Sequence, residues 1–119
     1  MPQAGCYSDA CDRAREQPPR YVTSLALVFP DGARPQTRRF YLVDASPDLR
    51  QQMDLIREPG FRDRAQARRP FDGIFLTHAH MGHYLGLALL GREGLGIAPT
   101  PCYCSLEMRR FLTNNGPWS

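Results

Sequence analysis

Lysine is absent from this sequence of 119 residues: all fifteen basic residues are arginines, scattered from Arg13 to Arg110. A basic surface built to hold nucleic acid is clustered and interleaved with stacking aromatics, so the net charge of +3 carries no expectation of a nucleic-acid partner. The densest group (Arg62, Arg64, Arg68 and Arg69) also holds Asp63 and reads as a solvated linker. Long apolar runs are missing as well. The longest stretches, residues 21–30 and 83–90, fall short of the roughly 20 residues that a membrane-spanning helix needs. No basic start leads into an apolar run and a small-residue cleavage site, so the expected location is cytoplasmic. Cysteine is sparse: four residues form two local pairs, Cys6/Cys11 and Cys102/Cys104. Without a secretion signal, reduced thiols or a metal site are expected in preference to disulfides. What remains is ordinary for a globular chain, with 42% hydrophobic and 23% charged residues. The length suits one small domain or half of a larger one.

Hydrophobic periodicity divides the chain. Residues 1–20, rich in proline, cysteine, glycine and charge, show no period and read as a loop or extended lead-in. Residues 21–29 alternate Thr23, Leu25, Leu27 and Phe29 against Val22, Ser24, Ala26 and Val28, a strand apolar enough on both sides to be mostly buried. Pro30-Asp31-Gly32 supplies a turn, and residues 38–44 return as the second strand of a hairpin. Ser46-Pro47-Asp48 reads as a helix start, with serine as cap, proline at the first helical position and aspartate complementing the helix dipole. That helix runs through Leu49, Met53 and Ile56 and stops at Pro59-Gly60. Residues 71–77 form a short apolar strand, 83–90 a helix packed on both sides, and 101–104 another short strand. A last helix is capped by Ser105, buries Met108, Phe111 and Leu112, and ends near Asn115-Gly116. The order β-β-α-β-α-β-α, without internal repeat, predicts an α/β sandwich with helices covering a sheet.

Every histidine lies within His78-Ala79-His80-Met81-Gly82-His83, directly after the apolar strand. Residues two apart at a strand end project to the same side, so His78 and His80 converge; Gly82 is expected to permit the reversal that brings His83 back. Neutral imidazole suits zinc, iron and other first-row ions, and three such ligands leave a position open for a water that a bound metal acidifies. The alternative is a polar loop in which each imidazole satisfies a local hydrogen bond. The spacing favours a metal site. Met81 and Tyr84, beside the cluster, either line a pocket or pack into the core.

Phe75-Leu76-Thr77-His78-Ala79-His80-Met81-Gly82-His83 resembles the His-x-His-x-Asp-His motif of the metallo-β-lactamase superfamily. Tyr41-Leu42-Val43-Asp44 is similar to the earlier strand of that fold, whose aspartate ends the strand near the metal. Gly5-Cys6 through Cys11, together with Asp44-Ala45-Ser46-Pro47-Asp48-Leu49-Arg50-Gln51-Gln52, look like the branch of pyrroloquinoline-quinone biosynthesis protein B. The resemblance implies a partial αββα sandwich over residues 1–119, corresponding to the amino-terminal half and lacking the first strand and the carboxyl-terminal half. It implies metal ligands at His78, His80 and His83, an Asp44 that touches a ligand or braces the loop, and a divalent cofactor, zinc first, with iron or manganese as alternatives. Cys6 and Cys11 are expected either as reduced thiols or, with Cys102 and Cys104, as a structural zinc set. Gly82 replaces the motif's aspartate, a ligand of the second metal, so a one-metal centre or a binding role is favoured over a standard dinuclear site. The functional expectation is a metal-dependent hydrolase whose activated water attacks an ester, amide or phosphodiester of a small-molecule substrate. Its alternatives are a role of the pyrroloquinoline-quinone type without ordinary hydrolysis, or an inactive fragment; the 119 residues alone are expected to be inactive. No general acid or base stands out.

Overall fold

The computed structural model describes residues 3–116 and Trp118; of the segments read above, Met1, Pro2, Pro117 and Ser119 lie outside the described residues. Four strands form one sheet in the order β1 (Leu25–Asp31), β2 (Arg34–Val43), β3 (Gly73–Phe75) and β4 (Cys102–Tyr103). The hairpin expected from the turn at Asp31-Gly32 is present, with β1 antiparallel to β2 and a register shift between Pro30 and Asp31. β2, β3 and β4 are mutually parallel. Parallel neighbours need long crossovers, and helices supply them: α2 (Leu49–Asp54) and α3 (Phe61–Gln66) link β2 to β3, while α4 (Met81–Tyr84) and α5 (Leu87–Leu90) link β3 to β4. α1 (Asp9–Arg15) precedes the sheet and α6 (Leu106–Asn114) follows it.

One core lies between one face of the sheet and the helices. Phe40 and Leu42 of β2 and Ile74 of β3 point into it, meeting Leu49, Phe61, Tyr84, Leu90, Met108 and Leu112 from the helices. Full burial of a side chain such as Phe40 or Leu49 contributes about 1.5–3 kcal/mol. The opposite face carries a row of aromatic rings from Phe29 through Tyr41 and Phe75 to Tyr103, with centroid separations of 6.1, 6.0 and 4.8 Å. Gly73 makes room in that row, since a Cβ there would stand 3.0 Å from the Tyr103 ring and 3.1 Å from the Tyr41 ring. Half of Phe29 and half of Tyr103 are exposed on this face. The α/β class and partial sandwich are as expected: one sheet with the core formed between it and the helices that follow β2.

Several local expectations are corrected. β1 is an edge strand, with Leu25 54% and Phe29 50% exposed, and is not buried on both sides. The lead-in holds α1, which buries no residue and therefore shows no hydrophobic period. It is specified by polar chemistry instead: Ser8 accepts from the Cys11 N–H, Asp9 and Asp12 occupy the first turn, and Arg13 and Arg15 the last. The arginine-rich linker holds α3, anchored by buried Phe61 against Phe40 and Phe71; Arg64 pairs with Asp72 at 2.9 Å. α2 begins two residues after the proline, and Ser46 caps the preceding turn through the Asp48 N–H at 3.1 Å. The helix read over 83–90 is two short ones, with the break at Leu85 and Gly86. α6 behaves as predicted, Ser105 accepting from the Met108 N–H, although Phe111 remains 37% exposed. Among the described residues no helix is long and apolar enough to cross a membrane.

Candidate metal centre

The histidine loop leaves the carboxyl end of β3, beside the carboxyl end of β2, where parallel strands bring two chain ends together. Asp44 follows β2 directly. Its N–H extends the ladder to the Phe75 carbonyl at 2.8 Å, and then its backbone turns into the left-handed region at φ +61°. That conformation costs an L-residue other than glycine roughly 1–2 kcal/mol, and aspartate tolerates it better than most. Three donors to the buried carboxylate, one of them shared between its oxygens, over-determine it. Oδ1 accepts from the Thr77 N–H at 2.8 Å and the Thr77 hydroxyl at 3.0 Å; Oδ2 faces the same hydroxyl and His83 Nδ1, both at 2.8 Å. Burial works against the Asp44 charge. The Thr77 N–H, His83 and the Thr77 hydroxyl outweigh it and hold the carboxyl below the usual carboxylate range.

An ionised Asp44 only accepts, which fixes the protons around it. His83 must present N–H at Nδ1, leaving Nε2 as its free ring nitrogen. Thr77 has a single hydroxyl proton, donated to Asp44, so its oxygen accepts from His78 Nδ1 at 2.8 Å. In the neutral ring His78 Nε2 is thereby a lone pair. It faces His80 Nδ1 at 3.0 Å, and the His78 ring also packs on His83 with centroids 4.0 Å apart. Donor atoms of Asp44, His78 and His83 all lie within 4.8 Å of one another; among the described residues this is the one group of three or more potential metal donors. His78 and His80 are exposed, while the His83 side chain is 22% exposed.

The structure gathers Asp44, His78 and His83 within 4.8 Å and leaves His80 outside that group, beside His78 alone; Gly82 does not act as expected. That residue lacks a positive φ and belongs to α4. His83 is carried back by the helical turn itself, its N–H bonding the His80 carbonyl at 2.8 Å. Tyr84 is buried against Phe111 and Trp118, as core packing predicts, whereas Met81 is 63% exposed and packs into no core. Thr77 was missed as a functional residue; the signal was a hydroxyl directly before the first histidine, at the end of a strand. The cysteines stay in their two pairs and assemble no four-thiolate set among the described residues. Cys11 and Ser8 lower the Cys6 thiol, while burial and the neighbouring Cys104 push Cys102 up to about 11. A groove of about 1130 Å³ lies elsewhere, between β4, α5 and α6, lined by Leu87, Cys102, Leu112 and Trp118 among others.

Residues 39–119 match the family described as the beta-lactamase superfamily domain. Among curated proteins, coenzyme PQQ synthesis protein B from Methylobacterium nodulans is 38% identical over 95 residues, covering 76% of this chain and 29% of the relative. The same protein from Rhodopseudomonas palustris strain TIE-1 is 33% identical over 118 residues, covering 97% and 35%. The chain therefore spans about a third of the length of the relatives it matches. A solved structure, Zn(2+)-bound PqqB from Methylobacterium extorquens, superposes with a TM-score of 0.67 at 27% identity, covering 96% of this chain and 36% of that one. Sequence and fold agree: the chain belongs to the beta-lactamase superfamily, and within it is similar to coenzyme PQQ synthesis protein B.

Proposed function

We propose that this chain holds a divalent metal ion, zinc first among candidates, through His78, His80 and His83, in a protein whose chemistry is of the coenzyme PQQ synthesis protein B kind and whose substrate is a small molecule. The observation that carries this is the Asp44–Thr77–His78 hydrogen-bond chain, which in the neutral imidazole places the His78 proton on Nδ1 and turns the Nε2 lone pair toward His80. The donor set fits such an ion. Two ligand atoms along one edge of a tetrahedron around zinc stand about 3.3 Å apart, given zinc–nitrogen distances of about 2.0–2.1 Å; His78 Nε2 and His80 Nδ1 are 3.0 Å apart. The similar PqqB from Methylobacterium extorquens is zinc-bound, which supports the same choice of ion.

When bound, the ion supplies Lewis acidity and lowers the pKa of water. The chain's own residues do the rest. Asp44 makes His83 a better ligand by accepting its Nδ1 proton, and its buried negative charge offsets the cation. Thr77 transmits that anchoring to His78. Exposed His78 and His80 keep the ligand side open to solvent, which favours a second reading, hydrolysis of an ester or phosphodiester by metal-activated water.

Zinc content of the purified chain, compared with a His78→Ala/His80→Ala variant, tests the metal reading: stoichiometric zinc lost in the variant is expected, and zinc-free protein that takes up none on addition would refute it. Turnover of bis(p-nitrophenyl) phosphate or p-nitrophenyl acetate by the zinc-loaded chain, absent in the variant, would select the hydrolytic reading; inertness with zinc bound would select the first.

A further inference from the structure

The stretch Asp44-Ala45-Ser46-Pro47-Asp48-Leu49-Arg50-Gln51-Gln52 contains more polar groups than the metal centre uses. Only Asp44 faces the histidines. Asp48 and Gln52, the latter held by Ser46, bond instead to Val22 in the extended segment before β1. The Val22 N–H donates to Asp48 Oδ2 at 2.8 Å, and the Val22 carbonyl accepts from Gln52 Nε2 at 2.5 Å. Gln52 Oε1 in turn accepts from the Ser46 hydroxyl at 2.7 Å, which fixes the orientation of the amide. Two residues further on, the Ser24 hydroxyl donates to the Asp44 carbonyl at 2.7 Å. Both backbone polar groups of Val22 are therefore tied to the start of α2, and the segment is fastened again beside Asp44.

The side chain so positioned meets the histidine loop. A Cβ built on Gly82 would stand 3.3 Å from Val22 Cγ1, closer than most real contacts. Gly82 has no left-handed backbone to accommodate, so the tight space beside Val22 is what bears on a side chain there. Of the non-histidine positions in the loop, Ala79 and Met81 are exposed, and position 82 is half-buried against this hydrocarbon wall. It is the one loop position from which another ligand could enter on the packed side, and Val22 occupies its path. Meanwhile the acceptor sites of Asp44 are taken by Thr77 and His83. Three imidazoles remain, a complement for one ion with an open position.

We propose that residues 21–24 form a strap, fastened by Ser46, Asp48 and Gln52, that presses Val22 against Gly82 and limits the centre to a single metal ion. Val22 and Gly82 are a matched pair, and Asp48 and Gln52 are positioning residues acting through the strap. This rests on the metal reading above.

The experiment uses the whole chain, zinc as the probe and two readouts: bound zinc per chain after loading and dialysis, and the thermal midpoint. Wild type is expected to hold one equivalent. Gly82→Asp and the milder Gly82→Ala are expected to melt lower without gaining an ion, and Val22→Ala in the same chain should recover much of that loss, a non-additive coupling. Asp48→Ala should speed amide exchange at Val22 while zinc stays at one equivalent. Two equivalents in wild type, a second ion in Gly82→Asp with an unchanged midpoint, or additive effects of positions 22 and 82 would overturn the inference and leave the metal reading intact. No zinc in wild type would overturn both.

Discussion

Adding one methyl group at position 86 tests how closely the two loops of the centre are joined. Gly86 sits at an ordinary right-handed φ of −64°, so its backbone suits any residue. Space does not. A Cβ there would lie 2.0 Å from the Ser46 carbonyl oxygen and 2.8 Å from that of Ala45, both backbone atoms that cannot rotate away. To admit it, the loop at 44–46 must part from the α4–α5 junction. That strains the Gly86 N–H to Ala45 carbonyl bond of 2.9 Å and the Ala45 N–H to His83 carbonyl bond of 2.8 Å. Overpacking costs about 1–3 kcal/mol, and each weakened hydrogen bond about 1 kcal/mol. Alanine returns about 0.4–1 kcal/mol by restricting the unfolded chain. The net expectation for Gly86→Ala is a loss of about 2–4 kcal/mol, a large part of the 5–15 kcal/mol typical of a domain. In a melt this is a fall of roughly 10–20 °C. Because the displaced loop carries Asp44, zinc affinity should fall with it. Urea titration followed by circular dichroism gives the stability term, and competition with a chromophoric chelator gives the affinity. A Gly86→Ala protein as stable as wild type would refute the close approach on which the site depends.

Asp44→Asn keeps a residue that tolerates a positive φ but removes the charge and an acceptor, so zinc should bind about 10–100-fold more weakly; unchanged affinity in the chelator assay would remove Asp44 from the site. Asp31, at the hairpin turn, keeps its carboxyl below the usual range: burial opposes the charge, but the Ala33 N–H and the guanidinium groups of Arg39 and Arg34 outweigh it. A carboxyl depressed on folding stabilises above its unfolded pKa of about 3.9, and the contribution is lost as pH falls through the folded value. Wild type should therefore melt above Asp31→Asn at neutral pH, the two converging in acid; a constant gap would contradict this. With its lowered thiol, Cys6 should be alkylated by iodoacetamide at pH 8 before Cys102, whose thiol titrates at about 11. Peptide mapping that finds Cys102 modified first would reverse that order.

The site was legible in the sequence where chemistry and periodicity coincide. A buried strand ending in His-x-His, a second strand ending in aspartate and a Ser105-capped amphipathic helix each announce themselves within a few residues. Elements without an apolar stripe did not. α1 rests on Ser8 and its charges, and in α3 Phe61 is the one buried residue in a run of arginines. The two-sided apolarity of residues 21–29 suggested burial, yet the strand lies at the sheet edge with its outer aromatic row uncovered. Gly82 looked like a hinge because glycine permits positive φ; its backbone is ordinary, and what distinguishes the position is the close approach of Val22, sixty residues away in sequence. Contacts of that range, including those of Asp48 and Gln52 with Val22, leave no periodic trace.

Cobalt substitution followed by visible absorption tests the central claim most directly, since cobalt reports both occupancy and ligand type. The account predicts d–d bands at one equivalent of metal that vanish in His78→Ala/His80→Ala and persist in Cys6→Ser. Bands indifferent to the histidine variant and abolished by the cysteine substitution would contradict it, placing the metal on the thiols and not on the loop after β3.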